Sequence, residues 1–231
     1  MSSLSKIRNL GVIALLLCSG VGAQAEPQPN GWLMKQTSDE QGLLETKVTA
    51  KAIRLDTEDV TLLLLPPTYS CYMYNKANKR YVDIPAKEFT IHTSNRPHPK
   101  FDLKKMGDTD MCGLKATKYV SFVGGKPSFE FWATKAFPIP EKLADACMIF
   151  MSITEMPPGH GLPLRASRIS ETGGRFTHIR TKSIERAYFP PDTFAKPKNY
   201  KLVDNFVALR TGSTNVPAPS AHALDYMLDK K

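Results

Sequence analysis

Thr117-Lys118-Tyr119-Val120-Ser121-Phe122, Val123-Gly124-Gly125-Lys126-Pro127, Ser128-Phe129-Glu130-Phe131-Trp132-Ala133-Thr134 and then Pro138-Ile139-Pro140-Glu141-Lys142-Leu143-Ala144-Asp145-Ala146-Cys147-Met148-Ile149-Phe150-Met151: this stretch decides the fold. Its first two strand-like runs flank paired glycines, which supply the positive φ that tight hairpin turns need. Its last run changes period. Leu143, Ala144, Cys147, Phe150 and Met151 fall on one helical face, with prolines before the first turn and Glu141 at the positive end of the dipole. Pro157-Pro158-Gly159 ends it. Phe129 and Phe131 share one strand face, and Trp132 takes the other.

Strand patterns continue on both sides. Leu44, Thr46, Val48, Ala50 and Ala52 alternate with Glu45, Lys47, Thr49 and Lys51, so one face is buried and one wet. Residues 60–65 form a short apolar run closed by Pro66-Pro67, which reads as a strand buried on both faces. Residues 69–84 read as a hairpin around the polar turn 75–79, and 162–170 pairs with 175–189 around Glu171-Thr172-Gly173-Gly174. A short helix is expected at 85–89. The result is mainly β, a run of antiparallel strands interrupted by one amphipathic helix. A helix with one apolar face must bury it on the sheet, so Leu143, Cys147, Phe150 and Met151 are expected on the concave side.

The chain has 231 residues, 42% hydrophobic and 23% charged, with a formal charge of +9. That balance is globular and excludes a mainly disordered or disulfide-knot chain. The positive charge would suggest nucleic acid, but residues 1–25 redirect it. Lys6 and Arg8 precede the apolar run 10–18, and small residues end at Ala23-Gln24-Ala25. This is the order of a secretory signal peptide, with cleavage expected after Ala25 and a periplasmic or extracellular product. Leu17 stands before Cys18 where a lipidation site wants a small residue, so a soluble product is expected. Removing 25 residues and two positive charges leaves 206 residues at +7. Residues 26–212 read as one domain and 213–231 as a flexible tail. Export argues against nucleic-acid binding, and a monomer is expected.

No phosphate loop, Gly-x-Ser-x-Gly elbow, Gly-x-Gly-x-x-Gly or His-Glu-x-x-His is present. His160 reads as a solvated loop histidine, and Asp108 and Asp110 as turn residues. No catalytic, cofactor or metal role is expected. Cys71, Cys112 and Cys147 allow three pairings. The expected one is Cys112–Cys147, tying a strand start to the helix, with Cys71 a buried thiol. The aromatic and methionine set Trp32, Met73, Phe129, Phe131, Trp132, Phe150 and Met151, with Leu143, reads either as plain core or as the lining of an apolar cavity. Such a lining adapts to a flexible acyl chain. Residues 165–201 hold nine cations against three acids. Arg165, Arg168, Arg180, Lys182 and Arg186 are the candidates for contact with an anionic membrane surface or an acidic partner, the alternative being a solvated face.

Several segments carry a family likeness. They are Lys51-Ala52-Ile53-Arg54-Leu55-Asp56-Thr57; Tyr72-Met73-Tyr74-Asn75-Lys76 with Lys79-Arg80-Tyr81-Val82-Asp83-Ile84-Pro85; and Met106 to Tyr119 with its Gly107 and Gly113. Phe131-Trp132-Ala133-Thr134-Lys135 with Phe137-Pro138-Ile139-Pro140, Gly161-Leu162-Pro163-Leu164, and Phe194 with Asn199-Tyr200-Lys201 complete them. In this order the segments resemble the outer-membrane lipoprotein carrier superfamily, the LolA/LolB-like fold, and in particular its uncharacterised secreted bacterial members. Asn199 stands where that pattern has glycine. The resemblance implies a curved antiparallel half-barrel closed by one or two lid helices around an apolar cavity, which in the carriers holds acyl chains. Taken with export, the strand order and the single lid helix, it makes a lipid or lipoprotein acyl chain the candidate partner. The alternative is a non-enzymatic envelope structural or protein-interaction module whose core is filled by its own side chains.

Overall fold

The computed structural model describes residues 27–85, 102–150 and 159–211. The expected signal peptide, the C-terminal tail and most of the short helix expected at 85–89 lie outside the described residues. Alternation of apolar and polar residues builds a first meander of six strands: β1 (Gly31–Ser38), β2 (Gly42–Thr49), β3 (Ile53–Asp56), β4 (Val60–Leu64), β5 (Cys71–Asn75) and β6 (Arg80–Ile84). A second meander holds β7 (Asp102–Met111), β8 (Leu114–Val123), β9 (Lys126–Thr134), β10 (Leu162–Ile169) and β11 (Arg175–Ala187). Helix α1 (Glu141–Phe150) interrupts it between β9 and β10. The chain closes with a 3-10 turn at Pro191–Phe194, the short β12 (Lys201–Leu202) and helix α2 (Phe206–Thr211).

All twelve strands form one sheet in the order β12-β6-β5-β4-β3-β2-β1-β11-β10-β9-β8-β7. Every neighbouring pair is antiparallel except β12, which runs parallel to β6. β1 and β11 join the two meanders, from Gly31 opposite Ala187 to Thr37 opposite Arg180. Asn30 clasps this seam. Its amide donates to the Phe189 carbonyl at 2.8 Å, and its side-chain oxygen accepts the Phe189 N–H at 2.8 Å. Gly31 has no room for a side chain, since a Cβ would meet the Val48 carbonyl at 2.5 Å.

The sheet is curved, and α1 requires it. This helix packs on both β10 and β4, which lie five strand intervals apart, about 24 Å on a flat sheet. A helix about 10 Å wide and, at ten residues, about 15 Å long reaches both only if the sheet curls around it. Bulges at Lys35/Gln36, Pro163/Arg165 and Ala166/Ser167 bend the strands that face the helix.

On the inner face Met34, Val48, Ile53, Leu62, Leu64 and Cys71 pack with Leu143, Ala144, Ala146 and Cys147 of α1. Phe129, Phe131, Ala133, Ala166 and Ile179 pack with Met148. The helix therefore buries a wider arc than the expected stripe, adding Ala146 and Met148. Helix α2 covers the β5–β6 end of the same face through Val207, Ala208 and Leu209, where Ala208 and Leu209 meet Val82 and Met73.

The run at β4 is buried on both faces, as its composition implies. Leu62 and Leu64 face inward, while Leu63 is covered from outside by Tyr72, Tyr74 and Tyr200. Tyr200 belongs to a strap, residues 188–204, that crosses the outer face of the first meander. Its ring meets Tyr74 edge-on at 5.4 Å, and Lys196 stands 4.4 Å over Tyr72 and 2.8 Å from the Asp83 carboxylate. Asn199, just before it, has φ +64. That is the left-handed region, which explains why glycine or asparagine suits the position.

One stretch departs from expectation. Asp108 and Asp110 lie within strand β7, not in a turn. The turn sits at Cys112-Gly113, both with positive φ. Two-sided exposure of β7 removes the apolar alternation that would have marked it as a strand.

Candidate functional site

Thr134 ends β9, and Phe137-Pro138-Ile139-Pro140 carries the chain into α1. The Pro140 carbonyl accepts the N–H groups of Leu143 and Ala144 at 3.0 and 3.2 Å, which starts the helix. After the helix, Gly159, His160 and Gly161 lead into β10. The Asp145 carboxylate accepts the Gly159 N–H at 3.1 Å. Gly161 lies so close to β9 that a Cβ would meet the Thr134 carbonyl, and its φ of +86 also favours glycine. These two connections border a half-open pocket of about 230 Å³ beside the start of α1. Thr134, Lys135, Phe137, Ile139, Glu141, Ala144, Gly159, Gly161 and Leu162 line it. The lining mixes apolar walls with one cation and one carboxylate at the rim.

The expected lining residues occupy several places. Phe129, Phe131 and Leu143 are all fully buried in the inner layer, the two phenylalanines in the cluster with Met148 and Leu143 in the cluster with Cys147. Phe131 stacks on Tyr119 at 5.1 Å, and His160 meets both rings edge-on at 6.2 and 4.7 Å. His160 is thus half-buried against aromatics rather than a solvated loop residue. Met73 bridges the α1 and α2 clusters. Trp32 sits at the edge of the inner layer, edge-on to Phe137 at 5.4 Å, with the Arg186 guanidinium 4.2 Å over its ring. Phe150 is the last residue of α1, and Met151 lies outside the described residues. Trp132 is half-buried and packs against the cluster that holds Leu143, with Lys118 at 4.7 Å and Arg165 at 4.6 Å from its ring.

The pocket itself was not visible as a motif. Its residues come from two connections that pair only after β9 and β10 align, with Leu162 opposite Thr134. The one signal in the sequence is the pair Gly159 and Gly161 around His160.

The candidate cations form no single cluster. Arg165 and Arg180 are direct cross-strand neighbours. Such like-charge pairs repel, and the Trp132 ring offsets this for Arg165. Arg168, Arg180, Lys182 and Arg186 are exposed. Nearby, buried Glu130 is held by Arg175 at 2.9 Å and Lys118 at 3.3 Å.

The expected Cys112–Cys147 disulfide is corrected. Cys112 is exposed at the tip of the β7–β8 hairpin, with its thiol 3.9 Å from the Thr181 carbonyl. Cys147 is buried against the sheet by α1, and no disulfide joins them. Spacing could not show that the helix turns Cys147 inward. Burial pushes the Cys147 thiol up to about 12, and burial also raises Cys71 far above the ordinary range. Neither is a ready thiolate.

The strongest charge centre is structural. Asp56 accepts hydrogen bonds from Arg54 at 2.8 and 2.9 Å, Lys47 at 2.9 Å and Thr61 at 2.6 Å. Burial alone would raise its pKa, but these bonds outweigh it and hold the carboxylate well below its usual range. Arg54 also donates to the Thr193 carbonyl at 2.7 Å, which pins the strap to β3.

Among the described residues no group of three His, Cys, Asp or Glu side chains is placed to hold a metal ion. No helix among them is long and apolar enough to cross a membrane.

No family model matches the chain, and no curated protein matches it. The chain is similar to several solved structures. One is an uncharacterised conserved protein from Thermus thermophilus, at 14% identity and a TM-score of 0.45, covering 76% of this chain and 90% of that one. Another is the LolA superfamily protein NE2245 from Nitrosomonas europaea, at 7% identity and a TM-score of 0.27, covering 74% and 91%. A third is MucB, at 12% identity and a TM-score of 0.37, where the match covers 74% of this chain and 59% of MucB.

Proposed function

We propose that this is an exported, non-enzymatic binding protein that takes a single apolar chain, such as the acyl chain of a lipid or lipoprotein, between α1 and the inner face of the sheet. The observation that carries this reading is the position of the pocket. It opens beside the first turn of α1, which lies across the curl of the sheet, and Ala144 and Leu162 connect its wall to the buried apolar layer. Displacing α1 would extend the pocket along Leu143, Phe131 and Phe129 without breaking a strand pairing. A lining that mixes apolar side chains with Thr134, Lys135 and Glu141 suits a ligand with a greasy chain and a polar head. The order of residues 1–25 supports export, with the new N-terminus at Glu26. Arg180, Lys182 and Arg186 are exposed and suited to meet an anionic lipid surface, which cosedimentation with anionic against neutral vesicles would test.

A second reading has its own support. Phe129, Phe131 and Leu143 are fully buried, so the chain fills the inner layer with its own side chains, as an envelope interaction module would. Titration with a fluorescent fatty acid, beside native mass spectrometry for co-purifying lipid, separates the two. Under the binding reading the protein takes up the probe, and Ile139→Trp, at a half-buried position in the pocket lining, weakens uptake at least about tenfold while the chain stays folded. A protein that carries no lipid and ignores the probe overturns the binding reading and leaves the self-filled one.

A further inference from the structure

We propose that the outer edge of β7 is a docking site for a second copy of this chain, joining two sheets antiparallel about a two-fold axis. The two ends of the sheet differ. At one end β6 is covered by β12, which leads on to α2. At the other end β7, ten residues long, pairs only with β8 among the described residues. Eight of its ten residues are exposed. A long bare edge offers a row of backbone donors and acceptors to another strand.

Charge selects the occupant. The first half of β7 carries Asp102, Lys104 and Lys105 and is net basic, and Asp108 and Asp110 make the second half acidic. Between them Met106 is 56% exposed at a bulge. A strand that is basic first and acidic second complements itself when antiparallel, because two-fold symmetry sets each half against the other half of its copy. With the axis beside Gly107, Lys104 faces the partner's Asp110 and Leu103 faces the partner's Met111. With the axis between Met106 and Gly107, Lys105 faces the partner's Asp108. A uniformly acidic or basic peptide matches only half of the edge. Within one copy these charges make exposed ion pairs, Lys104 with Asp102 at 3.3 Å and Lys105 with Asp108 at 3.2 Å. Pairs of that kind contribute little and exchange readily. The expected monomer then gives way to a dimer whose sheet runs unbroken across both copies.

Sedimentation equilibrium on the full chain, as its producing cell processes it, tests this. The wild-type chain should show a concentration-dependent dimer. Lys104→Glu with Lys105→Glu makes the edge wholly acidic, and Asp108→Lys with Asp110→Lys leaves Asp102 as its one acid among four lysines. Each should weaken self-association at least about tenfold, and mixing the two should restore a dimer. All four side chains are exposed, and unfolding midpoints would show that both variants stay folded. A wild-type monomer at every concentration, or a dimer indifferent to both reversals, overturns the proposal. As an independent measurement, Met106→Cys in a Cys112→Ser background lies close to the axis and should form a covalent dimer on mild oxidation. A non-covalent dimer that fails to cross-link there overturns the β7 interface.

Discussion

The two meanders use the same antiparallel pairing and treat water in opposite ways. In the first, strands are short and covered from both sides: α1 and α2 lie inside, and the strap carrying Tyr200 lies outside. Its sequence shows this as an unbroken apolar run at β4 and three buried or half-buried tyrosines on β5 and β6. In the second, strands reach thirteen residues at β11, and coverage falls away until β7 is wet on both faces. A strand's composition therefore reports how many layers cover it. Its hydrogen bonds are the same in either case.

The largest effect that would test this contrast is a truncation at β4. Leu63→Ala should cost about 2–5 kcal/mol by chemical denaturation, since Leu63 is fully buried beneath the tyrosines. Leu103→Ala on β7, only partly buried, should cost well under half as much. Equal costs would mean that the strap does not stabilise the first meander.

Next comes the charge centre under the strap. Asp56→Asn removes a carboxylate that receives four hydrogen bonds and should cost about 2 kcal/mol near neutral pH. The pH dependence has a definite sign. The folded value is depressed, so this stability is present above the unfolded carboxylate value of about 3.9 and is lost as pH falls below it. The wild-type chain should therefore lose stability from about pH 4 downward more steeply than Asp56→Asn. Parallel acid limbs would show that another carboxylate dominates.

The smallest perturbation is thiol labelling. Cys112 should react with a maleimide at once in the native chain, while Cys71 and Cys147 should react only on denaturation. If Cys147 and Cys71, which α1 covers together, label faster than the chain unfolds globally, α1 opens by itself. Labelling only at the global unfolding rate would tie α1 to global unfolding and weaken the case for a moving lid.

Legibility from sequence followed the same contrast. The β8–β9 hairpin and α1 could be read because paired glycines fix a turn and the apolar period changes from two to 3.6 residues. β4 could be read because two-sided burial leaves no polar position from Leu62 to Leu64. β7 could not, since Gly107, Asp108 and Asp110 are turn formers and its exposure erases alternation. The pocket was illegible for a different reason: Lys135, Phe137 and Gly161 meet only through the β9–β10 register. The disulfide expectation failed because spacing along a chain does not show which way a cysteine faces. Asn199 was read as a departure from glycine, and its positive φ shows that it performs the same backbone task.

The clasp between Asn30 and Phe189, 159 positions apart, has a consequence in time. A chain that emerges from its N-terminus presents β1 first and β11 near the end. Until β11 arrives, β1 keeps one side unpaired, and the strap that shields Leu63 has not yet appeared. High contact order of this kind slows folding and leaves a sticky half-sheet waiting. That half-sheet stays open to other chains until the strap, residues 188–204, has been made.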